Sequence, residues 1–227
     1  MTNLAHFGKT LVIAPHPDDE VLGCGGTIAR LADEGLPVIA AIMTKGREPA
    51  YSKAFVDQVA NEAVTAHAIL GTSELRHLDL PAAALDTLAA AELNAHFSDL
   101  ISDIQPDTLF VPFIGDIHLD HQLSFLGALV AARPRSLSAP TRIYAYETLS
   151  ETNWFSPGIT PAFVPNVFID ISATLDRKLE AFSAFESQVK AFPDERSLIA
   201  IESLARVRGA SVFRQAAEAF MLVREIG

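Results

Sequence analysis

The sequence has 227 residues, of which 49% are hydrophobic and 20% charged, and this fits one large α/β domain with a well-buried core. Its 28 acidic residues outnumber the 17 Lys and Arg residues, and the net charge of −11 argues against nucleic acid as a partner, because phosphate binding depends on basic side chains. Cys24 has no second cysteine to pair with, and residues 1–9 contain no apolar signal core, so we predict a cytoplasmic protein without a membrane span.

Strand-like and helix-like segments alternate along the chain. Short apolar or β-branched runs predict strands at residues 10–14, 37–43, 75–80, 108–113, 142–146, 166–171 and 219–223. Apolar periodicity predicts helices at residues 26–34, 52–70, 85–104, 120–132, 175–189 and 197–208. A long loop is expected at residues 150–165. This alternation predicts a single-domain, Rossmann-like α/β fold over residues 1–227, with a mostly parallel sheet and helices on both faces.

The densest group of ionisable side chains directly follows the first predicted strand and reads Pro15-His16-Pro17-Asp18-Asp19-Glu20. One imidazole and three carboxylates this close together indicate a bound cation or a proton-transfer role. The run Gly23-Cys24-Gly25-Gly26 then leads into the first predicted helix. Its spacing is not G-x-G-x-x-G, and the neighbouring carboxylates would repel a pyrophosphate, so dinucleotide binding is disfavoured.

A second group of ionisable side chains, Asp116-Ile117-His118-Leu119-Asp120-His121, follows the strand predicted at residues 108–113. Ligands of open α/β sheets bind beyond the carboxyl ends of the strands, and both groups lie at such ends. We therefore expect the two groups to meet and to form a metal site.

The two motifs, Ala14-Pro15-His16-Pro17-Asp18-Asp19-Glu20 and His118-Leu119-Asp120-His121, resemble those of the LmbE-like (PIG-L) zinc-dependent N-deacetylases. The similarity runs over essentially the whole chain. It implies a Zn²⁺ cofactor, or another divalent metal such as Fe²⁺, held by His16, Asp19 and His121. It further implies that Asp18 is the catalytic base, that His118 is the oxyanion-stabilising or acid histidine, and that Asp120 orients His118.

Two imidazoles and one carboxylate leave a coordination position for water, as in catalytic zinc sites. Asp18 would carry the water proton to the leaving amine, and a protonated His118, its pKa raised by Asp120, would help to stabilise the oxyanion. The expected reaction is deacetylation of an N-acetylated amino sugar or of its nucleotide- or lipid-linked conjugate. Lys45 and Arg47 are candidates for binding a substrate phosphate or carboxylate, and the resemblance adds Glu147 as a substrate-binding residue.

Two segments depart from the sugar-binding members of this family: Leu80-Pro81-Ala82-Ala83 lacks a carboxylate, and the loop Lys45-Gly46-Arg47-Glu48-Pro49 has a different form. These departures leave the sugar open. The alternatives are an amidase that acts on a larger thiol conjugate of an amino sugar, a non-catalytic metal- or sugar-binding relative, and a non-haem iron oxygenase. Arg196, Arg206 and Arg208 are expected either to close over the site or to make contacts in a homo-oligomer.

Overall fold

The computed structural model describes residues 3–154, 156 and 158–227. Over these residues the strands are β1 (Thr10–Ala14), β2 (Val38–Lys45), β3 (Glu74–Pro81), β4 (Thr108–Pro112), β5 (Arg142–Tyr146), β6 (Val167–Asp170) and β7 (Ala217–Glu225). The α-helices are α1 (Asp19–Asp33), α2 (Lys53–Leu70), α3 (Ala90–Ile104), α4 (Leu119–Ala131), α5 (Leu175–Ser183) and α6 (Leu198–Ala210). Short 3-10 helices occur at Ala5–Phe7, Leu85–Thr87 and Thr152–Trp154.

The strands form one sheet in the order β3-β2-β1-β4-β5-β7-β6. The pairs from β3 to β5 are parallel, whereas β7 runs antiparallel to both β5 and β6. Neighbouring side chains of a strand point to opposite faces, and Val12 and Ile13 of β1 accordingly lie in different apolar clusters. Helices α1, α2, α5 and α6 pack on the cluster of Val12, and α3 and α4 pack on that of Ile13. The predicted α/β fold, with helices on both faces of a mostly parallel sheet, is confirmed.

Helix α1 begins at Asp19, not at residue 26 as predicted, so the glycine run lies inside the helix. The reason is close packing of the helix. A Cβ on Gly23 would lie 2.2 Å from the Tyr146 ring, and one on Gly26 would lie 2.7 Å from the Ile171 side chain. These glycines let α1 approach the sheet and its neighbours more closely than any other residue type would allow.

Other predicted boundaries also differ from the structure. The helix predicted at residues 85–104 is divided into a 3-10 turn and α3, and the one predicted at 175–189 ends at Ser183. Helix α4 begins at Leu119, and its N-cap is His118. Two positions of the loop predicted at residues 150–165, Phe155 and Pro157, lie outside the described residues.

A buried ion pair joins α5 and β7 to the middle of α1. Lys178 Nζ lies 2.6 Å from Glu218 Oε1 and donates to the Leu22 carbonyl at 2.7 Å. The two oxygens of Glu218 accept the backbone N–H groups of Gly26 and Thr27 at 2.8 and 2.7 Å. Both members of the pair therefore bond to backbone groups of α1. These bonds and the pairing itself compensate the two charges, which burial removes from water.

None of the helices described here combines the length and the apolar character that crossing a membrane requires.

Candidate active site

His16, Asp19 and His121 lie together beyond the carboxyl ends of β1 and β4, which are neighbours in the sheet. One ligand atom from each residue lies within 4.8 Å of the other two. Asp19 Oδ2 is 3.3 Å from His16 Nδ1 and 3.1 Å from His121 Nε2. Fold topology thus joins two motifs that are about a hundred residues apart in the chain.

The chemistry of this group fits a divalent metal ion. Asp19 Oδ1 is buried without a hydrogen-bond partner among the described residues, and the buried His121 Nε2 lies 3.1 Å from Asp19 Oδ2 without a hydrogen bond of good geometry. Buried polar atoms left without hydrogen bonds are costly, and a cation bound by both side chains would remove that cost. Two imidazoles and one carboxylate also form the donor set of catalytic zinc sites. The residues present therefore fit the zinc that the sequence resemblance implied.

Each of the two histidines is paired with a second carboxylate. His121 Nδ1 lies 2.8 Å from Asp116 Oδ2, and His16 Nε2 lies 3.1 Å from Asp120 Oδ2. When Nδ1–H of His121 donates to Asp116, the unprotonated Nε2 is left for a metal. Asp116 belongs to the second group of ionisable side chains, but nothing in its sequence position indicated that it would pair with His121.

The carboxylates determine the protonation of the histidines. Burial lowers the pKa of His121, but Asp19 and Asp116 outweigh this effect and raise that pKa to about 10. Burial likewise lowers the pKa of His16, and Asp120 with Asp19 raises it to about 9. For Asp19, burial raises the pKa, whereas His121 and His16 lower it more strongly, so its pKa lies well below the usual range. The group is therefore cationic on its histidines and anionic on Asp19 before any metal binds.

Among the described residues, the hydrogen bond predicted between His118 and the Asp120 carboxylate is not present. That carboxylate accepts the backbone N–H groups of Ala83 and Leu85 and contacts His16, while His118 Nδ1 accepts the backbone N–H of Asp120 at 3.1 Å. Burial and the neighbouring His16 lower the pKa of His118, where a raised pKa had been expected. Because Nδ1 accepts a hydrogen bond, the proton of the neutral ring is on Nε2.

Asp18 has a strained backbone and an almost fully buried side chain. Its φ is 110°, in the region that L residues rarely adopt, and its side chain is 1% exposed. Burial raises its pKa to about 8, although the Arg196 guanidinium acts to lower it. Arg196 Nη1 donates to Asp18 Oδ2 at 2.9 Å, and its Nε donates to Ser150 at 3.0 Å. The sequence analysis had left open whether Arg196 closes over the site, and here it contacts the predicted base.

A buried chain of hydrogen bonds that the sequence analysis missed lies behind Asp18. The backbone N–H of Asp18 donates to Glu20 Oε2 at 3.3 Å, and Glu20 Oε1 lies 3.0 Å from His67 Nε2. His67 Nδ1 lies 2.9 Å from the Thr72 hydroxyl. Sequence alone gives no signal for this role of His67, because no carboxylate that could be its partner lies near it in the chain.

A cavity of about 450 Å³ opens beside these residues. Its lining includes His16, Asp18, His118 and Lys45. Arg47 is not itself a lining residue: its side chain is exposed and donates at 2.8 Å to the carbonyl of Asp79, which does line the cavity.

Glu147 does not line this cavity. Its carboxylate binds both Nε and Nη2 of Arg208, at 2.8 and 2.6 Å, and both residues line a second, much smaller cavity. The structure thus gives Glu147 an ion pair with α6 and does not bring it to the cavity beside His16 and Asp18, where the sequence analysis had expected it. Arg206 likewise lies away from the site and pairs with Glu202 on α6.

Comparison with known proteins gives related sequences and similar solved structures. Residues 11–132 match the family described as PIG-L, GlcNAc-PI de-N-acetylase. The uncharacterized deacetylase YaiS of Escherichia coli K12 is 34% identical over 166 residues, which are 70% of this chain and 79% of YaiS. The diacetylchitobiose deacetylase of Thermococcus kodakarensis is 29% identical over 199 residues, 82% of this chain and 71% of that protein. The conserved protein TT1542 of Thermus thermophilus superposes with a TM-score of 0.79 at 27% identity, over 96% of each chain.

Proposed function

Because this chain belongs to the PIG-L family, whose model it matches over more than half its length, we propose that it removes the acetyl group from an N-acetylated amino sugar or its conjugate. The named relatives are deacetylases, which hydrolyse N-acetyl amides. The observation that carries the proposal is the close group of His16, Asp19 and His121, in which the buried Asp19 Oδ1 has no hydrogen-bond partner among the described residues, next to a cavity of substrate size.

His16, Asp19 and His121 would hold the ion, which we propose to be zinc. When bound there, zinc would supply Lewis-acid chemistry, activating water and polarising the amide carbonyl. Asp116 and Asp120 would keep the two imidazoles oriented and raise their basicity as ligands.

Asp18 would serve as general base and then as general acid. Arg196 occupies its Oδ2, which leaves Oδ1 to take the proton of the attacking water and to pass it to the leaving amine. A pKa raised by burial to about 8 supports both roles, because the group can release and rebind a proton near neutral pH.

His118 would stabilise the developing oxyanion. With Nδ1 accepting from the Asp120 backbone, its Nε2–H is the donor available on the cavity side. A neutral imidazole that donates a preorganised hydrogen bond suits this role and does not require the raised pKa that the sequence analysis assumed.

We also propose that residues 1–227 act as one deacetylase domain. The family match ends at residue 132, but β5, β6 and β7 join the same sheet, and Arg196 reaches Asp18 from the later part of the chain. Lys45 lines the cavity and is the candidate for an anionic group on the substrate, such as the phosphate of a nucleotide-linked sugar.

The test is acetate release by zinc-loaded protein from a panel of N-acetylated amino sugars, free, nucleotide-linked and lipid-linked. We expect release by the wild type and a loss of at least about a hundredfold in Asp18→Asn with its zinc content unchanged. Asp176→Asn, at an exposed position of α5, is the matched control and should keep full activity. Full turnover by Asp18→Asn would refute the assigned role, and no release from any compound would refute the deacetylase proposal.

A further inference from the structure

The cavity at the candidate active site combines two chemically different sets of lining residues. The ionisable ones are His16, Asp18, Lys45, His77, Asp79, His118, Glu151 and Arg196. Helix α2 contributes four residues, all of them apolar: Phe55, Val56, Val59 and Ala60. Their spacing places them on one face of the helix. A substrate in this cavity would therefore contact both ionisable side chains and the apolar face of α2.

The apolar side is extended by an aromatic pair. The rings of Tyr51 and Phe55 stack with centroids 6.2 Å apart and an interplanar angle of 16°. Tyr51 packs against Gly46, where a Cβ would come within 2.8 Å of its ring. Phe55 is 37% exposed even though it lines a concave surface, so part of its ring is available to a ligand.

The segment after β3 adds one more apolar group to the lining. Ala82 lines the cavity with a methyl group, which offers a ligand only van der Waals contact. Asp79, on β3, also lines the cavity, and its carboxylate is paired with Lys45 at 3.2 Å.

We propose that this wall, which we call the α2 wall (Tyr51, Phe55, Val56, Val59, Ala60 and Ala82), binds an apolar substituent of the substrate. The substituent belongs to the same molecule whose amide meets Asp18 and His118, because the wall and those residues line one continuous cavity. Its source is either an acyl chain longer than acetyl or a hydrophobic group linked to the sugar. The inference rests on the proposed amide hydrolysis and goes beyond it by naming the substrate class.

The experiment compares three substrates with the zinc-loaded enzyme: N-acetylglucosamine, N-octanoylglucosamine and octyl N-acetylglucosaminide. We expect kcat/KM to be at least about tenfold higher for one of the two octyl compounds than for N-acetylglucosamine, because several methylenes leave water on binding. The preferred compound identifies the side of the amide on which the substituent lies. Phe55→Ala should remove about tenfold of that preference, measured as the ratio of kcat/KM for the preferred octyl compound to kcat/KM for N-acetylglucosamine.

Val64→Ala is the matched control, because Val64 is on α2 but is 58% exposed and does not line the cavity. Calorimetric binding of octyl glucosaminide, a product that needs no turnover, provides a second measurement and should weaken in Phe55→Ala only. Equal kcat/KM for all three substrates, or equal effects of the two variants, would overturn the α2 wall as a binding site. If the enzyme hydrolysed none of the three, yet bound the octyl product through Phe55, the proposed function would fail while the α2 wall stood.

Discussion

Replacing Asp116 with asparagine tests the metal centre through a residue that is not itself a ligand. Asp116 is fully buried, its Oδ2 lies 2.8 Å from His121 Nδ1, and its Oδ1 accepts the Thr152 hydroxyl at 2.6 Å. Asparagine has nearly the same shape but no negative charge. Its oxygen can still accept from His121, so the loss in Asp116→Asn is mainly electrostatic.

We expect zinc affinity to fall by about 10- to 100-fold in Asp116→Asn, as is typical for the outer partner of a metal-bound histidine, which corresponds to about 1.4–2.8 kcal/mol. The assay is competition for zinc against a chromophoric chelator at fixed pH. His121→Ala, which removes a ligand, should lose considerably more, and Asp99→Asn, an exposed charge change on α3, should lose nothing measurable.

A zinc affinity of Asp116→Asn within about twofold of the wild type would refute the reasoning, because a merely structural contact predicts no change in ligand basicity. Thermal denaturation of the metal-free variant separates the two effects. A drop in stability without a drop in zinc affinity would mean that Asp116 serves the fold and not the metal.

Three further predictions concern charge at and near the site. In Arg196→Gln, the pKa of Asp18 should rise above its value of about 8, because Arg196 acts to lower that pKa. The acidic limb of the kcat/KM–pH profile should therefore move to higher pH. An unchanged limb would mean that Arg196 does not influence the pKa of the catalytic base. Metal-free protein should lose stability as pH rises through about 9 and 10. His16 and His121 titrate there in the folded state but near 6.5 when unfolded, so their contribution to the free energy of unfolding is complete below pH 6.5 and is lost above their folded-state pKa values. The measurement is the melting temperature of metal-free and zinc-loaded protein across this pH range. Zinc binds the neutral imidazoles, so the zinc-loaded protein should not lose stability in this way. Glu147→Gln should lower the free energy of unfolding by about 1 kcal/mol or less and leave KM unchanged. A raised KM would mean that Glu147 does bind the substrate.

The sequence was sufficient to predict where the metal-binding motifs meet. Both follow apolar strands, and parallel strands present their carboxyl ends at one edge, so His16 and His121 were expected to come together before any coordinates were known. The sheet and most element positions followed from the same alternation of apolar runs. These features depend on local pattern and on general rules of α/β topology.

The partners of the site residues could not be predicted in this way, because they depend on tertiary packing. Arg196 is 178 positions away from Asp18, and His67 is 47 positions away from Glu20. Asp120 follows His118 closely in sequence, yet its carboxylate turns to His16 and to the backbone after β3. The prediction put the glycine run before α1 instead of inside it for a similar reason. The side chains that pack against these glycines come from β5 and from the segment after β6.

The position of β7 has a consequence for the order in which the chain can fold. β7 separates β5 from β6 and is the hydrogen-bonding neighbour of both, although it is synthesised after both of them. On the ribosome, residues 142–170 would emerge with two strand edges that have no partner until residues 217–225 leave the exit tunnel. Glu218 of that late strand also supplies the counter-charge of Lys178 and bonds to the middle of α1. A nascent chain that stalls before this point would expose unpaired strands and an unneutralised lysine, and such a chain is a natural client for chaperones.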